Sequence, residues 1–264
     1  MPHPFPIAYL VSRYPAISHT FILREIMGLR ALGHQIHTAS INQPDRTRQA
    51  MEAYERSETD ATLYVKAQGV LGALQSLLFW CFRAPIQLFR MLKFSLQLGN
   101  NKYWWFGLAY ALEALIVARW MTHRNIHHLH VHFGSAGATV GVLVKRISGC
   151  HLSYTIHGPD EFDDIHGQHL PLKMHMADVV VCISQFAKGQ LMRISNPVDW
   201  GKLKVCRLGV DPTQFVPNLT KSADPGGVRL LSVGRLTPAK GQLLLIEACA
   251  RLRDLGNRFQ LTVI

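Results

Sequence analysis

This 264-residue sequence lacks any framework of paired cysteines. Cys81, Cys150, Cys182, Cys206 and Cys249 stand far apart, with no C-x-x-C pair. An odd, dispersed set in apolar surroundings excludes a disulfide scaffold and suits small buried side chains in a reducing compartment. Acidic charge is also scarce. Against 28 Lys and Arg there are 17 Asp and Glu, a formal net charge of +11. Such a surface attracts nucleic acid, phosphorylated substrates or an anionic membrane face. The basic residues are scattered and no RNP sequence or finger is present, so nucleic acid is not expected as a partner. Long apolar runs are missing too. Residues 7–11 are too short for the core of a signal peptide and follow no basic segment. Residues 69–82 are shorter than a membrane span requires, and residues 103–121, about long enough, carry Glu113 and Arg119. A buried or membrane-surface helix is expected there.

What remains is an ordinary globular composition, 48% hydrophobic and 17% charged, enough for a sizeable core. Residues 7–11 read as a buried strand. Phe21, Ile22, Ile26, Leu29 and Leu32 recur at helical spacing, with Ser18 or Thr20 as the cap and Gly33 as the stop. A strand at 36–41 completes a βαβ unit. After an interruption come a weak strand at 63–65, helical segments over 71–98 broken near Pro85, and a helix at 103–121. Strands at 128–133, 152–156, 179–183 and 203–207 then alternate with helices at 138–147, 172–176 and 185–194. Doubly wound α/β is the class this order suits.

The composition then changes. Residues 209–227, rich in Pro, Asp and Gly, read as a linker after a first domain of residues 1–208. Beyond it a second start is expected over 228–264: strand, turn at 234–241, helix and strand, the opening βαβ of another Rossmann-like domain. That stretch is about the ~40-residue size below which a chain rarely folds unaided, and it reads as interrupted.

Five motifs then stand in order. They are Ser18-His19-Thr20-Phe21-Ile22-Leu23-Arg24-Glu25-Ile26 with Leu32-Gly33-His34; His130-x-His132-Phe133-Gly134 before Ala138-Thr139; Thr155-x-His157-Gly158-x-Asp160; Gly209-Val210-Asp211-x-x-x-Phe215; and Val233-Gly234-Arg235-Leu236-x-x-x-Lys240-Gly241. Together they resemble family 4 retaining glycosyltransferases, most of all the bacterial subgroup that builds exopolysaccharide or lipopolysaccharide. That subgroup usually has Glu where this chain has His19. The resemblance implies a GT-B architecture and transfer from a nucleoside-diphosphate sugar to a lipid-linked or polysaccharide acceptor. It also implies a cytoplasmic site, with the basic insert suggesting attachment to the inner face of the plasma membrane. The family's Glu-x7-Glu segment, which holds the donor sugar and ribose, is missing.

Within that resemblance each residue has an expected role. Gly234, Arg235 and Lys240 bind the donor diphosphate: glycine admits the ligand, Pro238 suits a helical first turn, and Arg and Lys supply charge. His157, following a strand, sits at the carboxyl edge where open α/β sheets bind ligands, beside the transferred sugar. Ser18, His19, Thr20, His132, Gly134 and Asp160 border the acceptor cleft. Capping is the plainer role for Ser18 and Thr20, and turn formation for Asp160. No side chain is assigned as general base, because in retaining members the leaving phosphate is thought to take the acceptor proton.

No metal is expected. His128, His130 and His132 share a strand face at a possible ligand spacing, but no Cys or carboxylate is foreseen to complete a site. Arg24 and Glu25, adjacent on a helix, are expected to find separate partners. The insert at 66–124 carries Lys66, Arg83, Arg90, Lys93, Lys102, Arg119 and Arg124 against Glu113 alone. It suits either an anionic membrane surface or a helical cap with a solvated rim. Two alternatives stand beside the transferase: a non-catalytic fragment that binds acceptor or membrane only, and a GT-B epimerase acting on a nucleotide sugar.

Overall fold

The computed structural model describes residues 5–99, 105–214 and 228–264. Two compact units meet between Gly209 and Val210. In the first, β1 (Ile7–Arg13), α1 (Thr20–Ala31), β2 (Ile36–Asn42), α2 (Ala53–Ala61) and β3 (Leu63–Tyr64) lead into α3 (Gly69–Arg83), α4 (Pro85–Leu98) and α5 (Trp105–His123). There follow β4 (His128–His132), α6 (Ala136–Ser148), β5 (His151–Ile156), α7 (Leu170–Met176), β6 (Val179–Cys182), α8 (Gln185–Ile194) and β7 (Leu203–Val205).

The seven strands form one sheet in the order β3-β2-β1-β4-β5-β6-β7, and every pair is parallel. Strand side chains alternate between faces, and here the alternation separates two cores. Ala8, Leu10, Leu129, Val131, Leu152 and Tyr154 face one way, into the larger cluster built with α5 and α6. Tyr9 and Val11 face the other way, into a smaller cluster with Ile22, Leu23 and Ile26 of α1. The register sets Tyr9 beside His130 and His132 beside Thr155. The three alternate histidines of β4 thus lie on the α1 side of the sheet.

Helix α2 has no counterpart in the sequence reading, and its chemistry explains why. It buries Glu55 and Glu58 rather than an apolar stripe. Arg46 pairs with Glu55, Arg30 pairs with Glu58, and Tyr14 Oη donates to Glu58 Oε2 at 2.9 Å. The start of α1 also departs from expectation. A 3-10 turn at Ile17–His19 runs straight into the helix, so the N-cap position falls to His19 and not to Ser18 or Thr20. Instead Asp45 Oδ2 accepts from the Ile17 N–H at 2.9 Å and steadies the turn.

The second unit contains β8 (Val228–Ser232), α9 (Gln242–Asp254) and β9 (Phe259–Val263), its two strands paired in parallel. Pro238 opens a separate 3-10 turn, Pro238–Lys240, and not α9 as the sequence suggested. Gly241, at φ +66°, breaks the path between them, in a left-handed conformation that glycine adopts without a Cβ penalty. The linker residues 215–227, Phe215 included, and Lys102 lie outside the described residues.

Candidate functional site

In a doubly wound sheet the ligand crevice opens at the carboxyl ends of the strands, where the strand order reverses. Here that point lies between β1 and β4. An open pocket of about 250 Å³ is found there, lined by Ser12, His19, Phe133, Gly134, Ser135, Asp160, Glu161 and Gln168. The chain thus brings His19, Gly134 and Asp160 to one cavity. Ser18 and Thr20 are exposed on the turn beside it.

The loop after β4 is built tightly. Phe133 adopts φ +72°, a left-handed conformation that costs an L-residue about 1–2 kcal/mol. The strain is held by bonds on either side. Phe133 N–H donates to Thr155 O at 2.9 Å, and Gly134 N–H donates to Glu161. A Cβ on Gly134 would stand 2.7 Å from Ile156 Cδ1 and 2.9 Å from Leu170 Cδ1, so a side chain there would have to displace both methyl groups. Glu161 also accepts from the N–H groups of His157, at 2.5 Å, and Gly158, at 3.0 Å. One carboxylate therefore ties the loops after β4 and β5 together. Asp160, the residue singled out from the sequence, is exposed and lines the pocket; the carboxylate bonded to the His157 backbone is its neighbour Glu161. Burial pushes the Glu161 carboxyl up, while the three backbone N–H groups and Lys173 pull it down.

Beneath the same loop the Lys173 ammonium is buried, donating to Gly134 O and Ser135 O at 2.8 Å each. Burial lowers its pKa to about 7, with Glu161 opposing the shift. Sequence reasoning missed both residues. Their only trace is a second acid after His157-Gly158 and a lone lysine in the apolar segment that becomes α7.

Behind the pocket runs a buried polar chain. Tyr9 Oη donates to Glu25 Oε1 at 2.8 Å, and that oxygen lies 3.8 Å from His132 Nε2. On its other side His132 Nδ1 bonds His157 Nε2 at 2.9 Å. His157 packs against Phe21 and Phe133, each 4.7 Å away between ring centroids. Phe133 lines the cavity, and His157, in contact with it, stands next to the lining residues rather than among them. Its Nδ1 is buried and meets no protein hydrogen-bond partner among the described residues, a condition costing about 1–3 kcal/mol. Burial, then the charge of His19, lowers His157 to about 4. Burial and neighbouring imidazoles push His132 well below the ordinary histidine value and His130 to about 3. All three rings are neutral at neutral pH.

The expectation that no carboxylate stands near the β4 histidines needs correction. Ligand atoms of Glu25, His130 and His132 lie within 4.8 Å of one another, because α1 crosses the strand face the histidines occupy. Existing hydrogen bonds already engage most of those atoms. Both His130 nitrogens bond hydroxyls, Nδ1 to Ser153 at 2.8 Å and Nε2 to Thr155 at 3.1 Å. Of the adjacent pair on α1, Glu25 bonds Tyr9, while Arg24 is exposed.

In the second unit Gly234, Arg235 and Lys240 share one loop. Gly234 N–H donates to Ile264 O at 2.9 Å, Gln242 Nε2 donates to Arg235 O at 2.8 Å, and both cationic side chains are exposed.

Comparison with known proteins follows the same outline. The chain is 25% identical to WcaL of Salmonella typhimurium, a glycosyltransferase provisionally assigned to colanic acid biosynthesis, over 98% of this chain and 63% of that protein. It is 32% identical to the amylovoran biosynthesis glycosyltransferase AmsK of Erwinia amylovora, over 51% of this chain and 33% of that one. The chain therefore spans less than two thirds of the length of either relative. Among solved structures, a glycosyltransferase from Rickettsia africae superposes with a TM-score of 0.58 at 16% identity, covering 98% of this chain and 60% of that chain. Likeness at that identity speaks for the fold. The sequence model of Glycosyltransferase Family 4 matches residues 19–214, which hold the His132–His157 pair and every pocket-lining residue but Ser12. The chain belongs to Glycosyltransferase Family 4.

Proposed function

We propose that this chain serves the transfer of a sugar from a nucleoside-diphosphate sugar to a lipid-linked or polysaccharide acceptor, with retention at the anomeric carbon. The observation that carries the reading is the neutral His132–His157 pair beside an open pocket, where the strand order reverses. In this reading His157 bonds a hydroxyl of the transferred sugar, satisfying its unpartnered nitrogen. His19, Gly134 and Asp160 border the acceptor, with Ser18 and Thr20 at the rim. Gly234, Arg235 and Lys240 hold the diphosphate. The acceptor oxygen bonds to the anomeric carbon as the bond to phosphate breaks, and the leaving phosphate takes the acceptor proton. Arg235 and Lys240 meet the charge that develops on it. Two cations and backbone N–H groups suffice for that task, so no metal is assigned a role. The names of WcaL and AmsK, which place those relatives in colanic acid and amylovoran biosynthesis, support a polysaccharide product.

A second reading is acceptor binding without turnover. It is favoured by the second unit, which among the described residues offers a single βαβ to hold a donor. One assay addresses both. The purified chain is incubated with labelled UDP- and GDP-sugars and bacterial membrane lipids, and acceptor retention is measured by equilibrium dialysis. Label entering the lipid or polysaccharide fraction supports the first reading. Acceptor retained without label incorporation supports the second. No label incorporated and no acceptor retained would refute both.

A further inference from the structure

Helices α3 and α4, joined through Ala84 alone, present an outward face that nothing in the described fold covers. On α3 the side chains of Val70, Leu71, Leu74, Leu78 and Phe82 are all exposed, Val70 at 86% and Phe82 at 87%. Their spacing sets them along one side of the helix. The opposite side buries Ser76 and Trp80, whose Nε1 donates to Leu115 O of α5 at 3.2 Å. Helix α4 buries Leu88, Met91 and Ser95 and exposes Ile86, Phe89 and Leu96. Arg90 and Lys93 are exposed on that same side, four residues on from Ile86 and from Phe89. Exposed apolar patches of this kind mark interaction sites.

We infer that this α3–α4 face is a docking surface for a lipid bilayer carrying anionic headgroups. Charge selects the occupant. Residues 69–98 contain Arg83, Arg90 and Lys93 and no acid at all. A second copy would set this cationic face against itself, on a chain of net charge +11. An anionic bilayer complements it and accepts the Leu and Phe side chains below the headgroups, as interfacial amphipathic helices do. No helix among the described residues is long and apolar enough to cross a membrane, so the surface lies on the bilayer. The surface stands apart from the histidine pair and goes beyond the transferase reading, so either can fail without the other.

Flotation of the full chain tests it, using phosphatidylcholine vesicles with and without phosphatidylglycerol. The chain is expected to float with the phosphatidylglycerol vesicles and to stay behind with phosphatidylcholine alone. Arg90→Glu with Lys93→Glu is expected to lower partitioning by roughly 25-fold or more, from about fivefold per basic residue lost. Leu74→Asp with Phe82→Asp is expected to cost about tenfold or more per residue. All four positions are exposed, and an unchanged thermal midpoint without vesicles verifies folding. A further readout needs no disruptive variant. In a Cys206→Ser background an environment-sensitive dye on exposed Cys81 should shift blue with phosphatidylglycerol vesicles. Three outcomes overturn the inference: no flotation at low salt, full binding by the Leu74→Asp/Phe82→Asp variant, or a wild-type dimer that this variant dissolves while vesicle binding persists.

Discussion

His132 Nδ1 and His157 Nε2 share a hydrogen bond of 2.9 Å that joins the carboxyl ends of β4 and β5. Both imidazoles are neutral, so the proton on one side of the bond determines what the other ring can offer. Glu25 accepts from Tyr9 and faces His132 Nε2 at 3.8 Å, beyond hydrogen-bond distance, and its carboxylate favours a proton on that nitrogen, which has no hydrogen-bond partner among the described residues. His132 Nδ1 then accepts, His157 Nε2–H donates, and His157 Nδ1 is left as an acceptor. Long-range ¹H–¹⁵N correlation of the imidazoles should find the Nε2–H form of both rings. Glu25→Gln, whose amide can donate to His132 Nε2, should switch His157 to the Nδ1–H form. An unchanged His157 tautomer would disconnect Glu25 from the site.

The two adjacent acids should respond differently to truncation. Glu161 holds the N–H groups of Gly134, His157 and Gly158. Glu161→Ala is expected to cost about 2–4 kcal/mol, tempered by water entering the open pocket. Asp160→Ala, at an exposed position, should stay within ~0.5 kcal/mol of wild type. Denaturant unfolding of the pair checks this, and equal losses would contradict the assignment.

Lys173 predicts an alkaline effect. Its folded pKa of about 7 lies below its ordinary value of 10.5. Between those two values the unfolded chain holds a proton that the folded chain lacks, so stability should rise with pH across that window. Below about 7 the lysine is charged in both states and contributes no slope. Thermal midpoints of wild type and Lys173→Met from neutral to alkaline pH should diverge, with the rise confined to wild type.

The buried histidines act in the acid range. His157 falls from 6.5 to about 4 and His130 from 6.5 to about 3. Above pH 6.5 both states are neutral and the full stability is present. As pH drops through that window the unfolded chain binds protons that the folded one refuses, and stability is lost. Glu25 and Glu161, raised by burial, act in the opposite sense lower in the range. His157→Phe keeps a ring between Phe21 and Phe133 without a titrating nitrogen. Its unfolding midpoint should decline less steeply than wild type between pH 6.5 and 4.

The parallel sheet was legible because apolar runs and helical stripes alternate through most of the chain, and the β4 histidines were legible as one face because strand periodicity is two. Helix α2 was not. Its burial rests on the pairing of Glu55 and Glu58 with arginines and Tyr14, which no hydrophobic period records. The start of α1 misled for a related reason: Ser18 and Thr20 are good caps, yet Asp45, remote in sequence, steadies the turn. At the site, His157-Gly158 was visible as a motif. The approach of Glu25 to His132 and of Lys173 to the Gly134 and Ser135 carbonyls depends on how α1 and α7 lie against the strand ends, and one-dimensional spacing does not carry that information.

Imidazole ¹⁵N spectra of the histidine-labelled chain, recorded while lipid-linked glycan acceptor is added, test the central claim most directly. The prediction is that His19, which lines the pocket, and His157, packed on the pocket residue Phe133, shift with saturable dependence on acceptor, while His37 on β2 and His175, bonded to Asp199 at 3.1 Å, stay in place. Unmoved His19 and His157 signals at saturating acceptor, or shifts confined to His37 and His175, would contradict it.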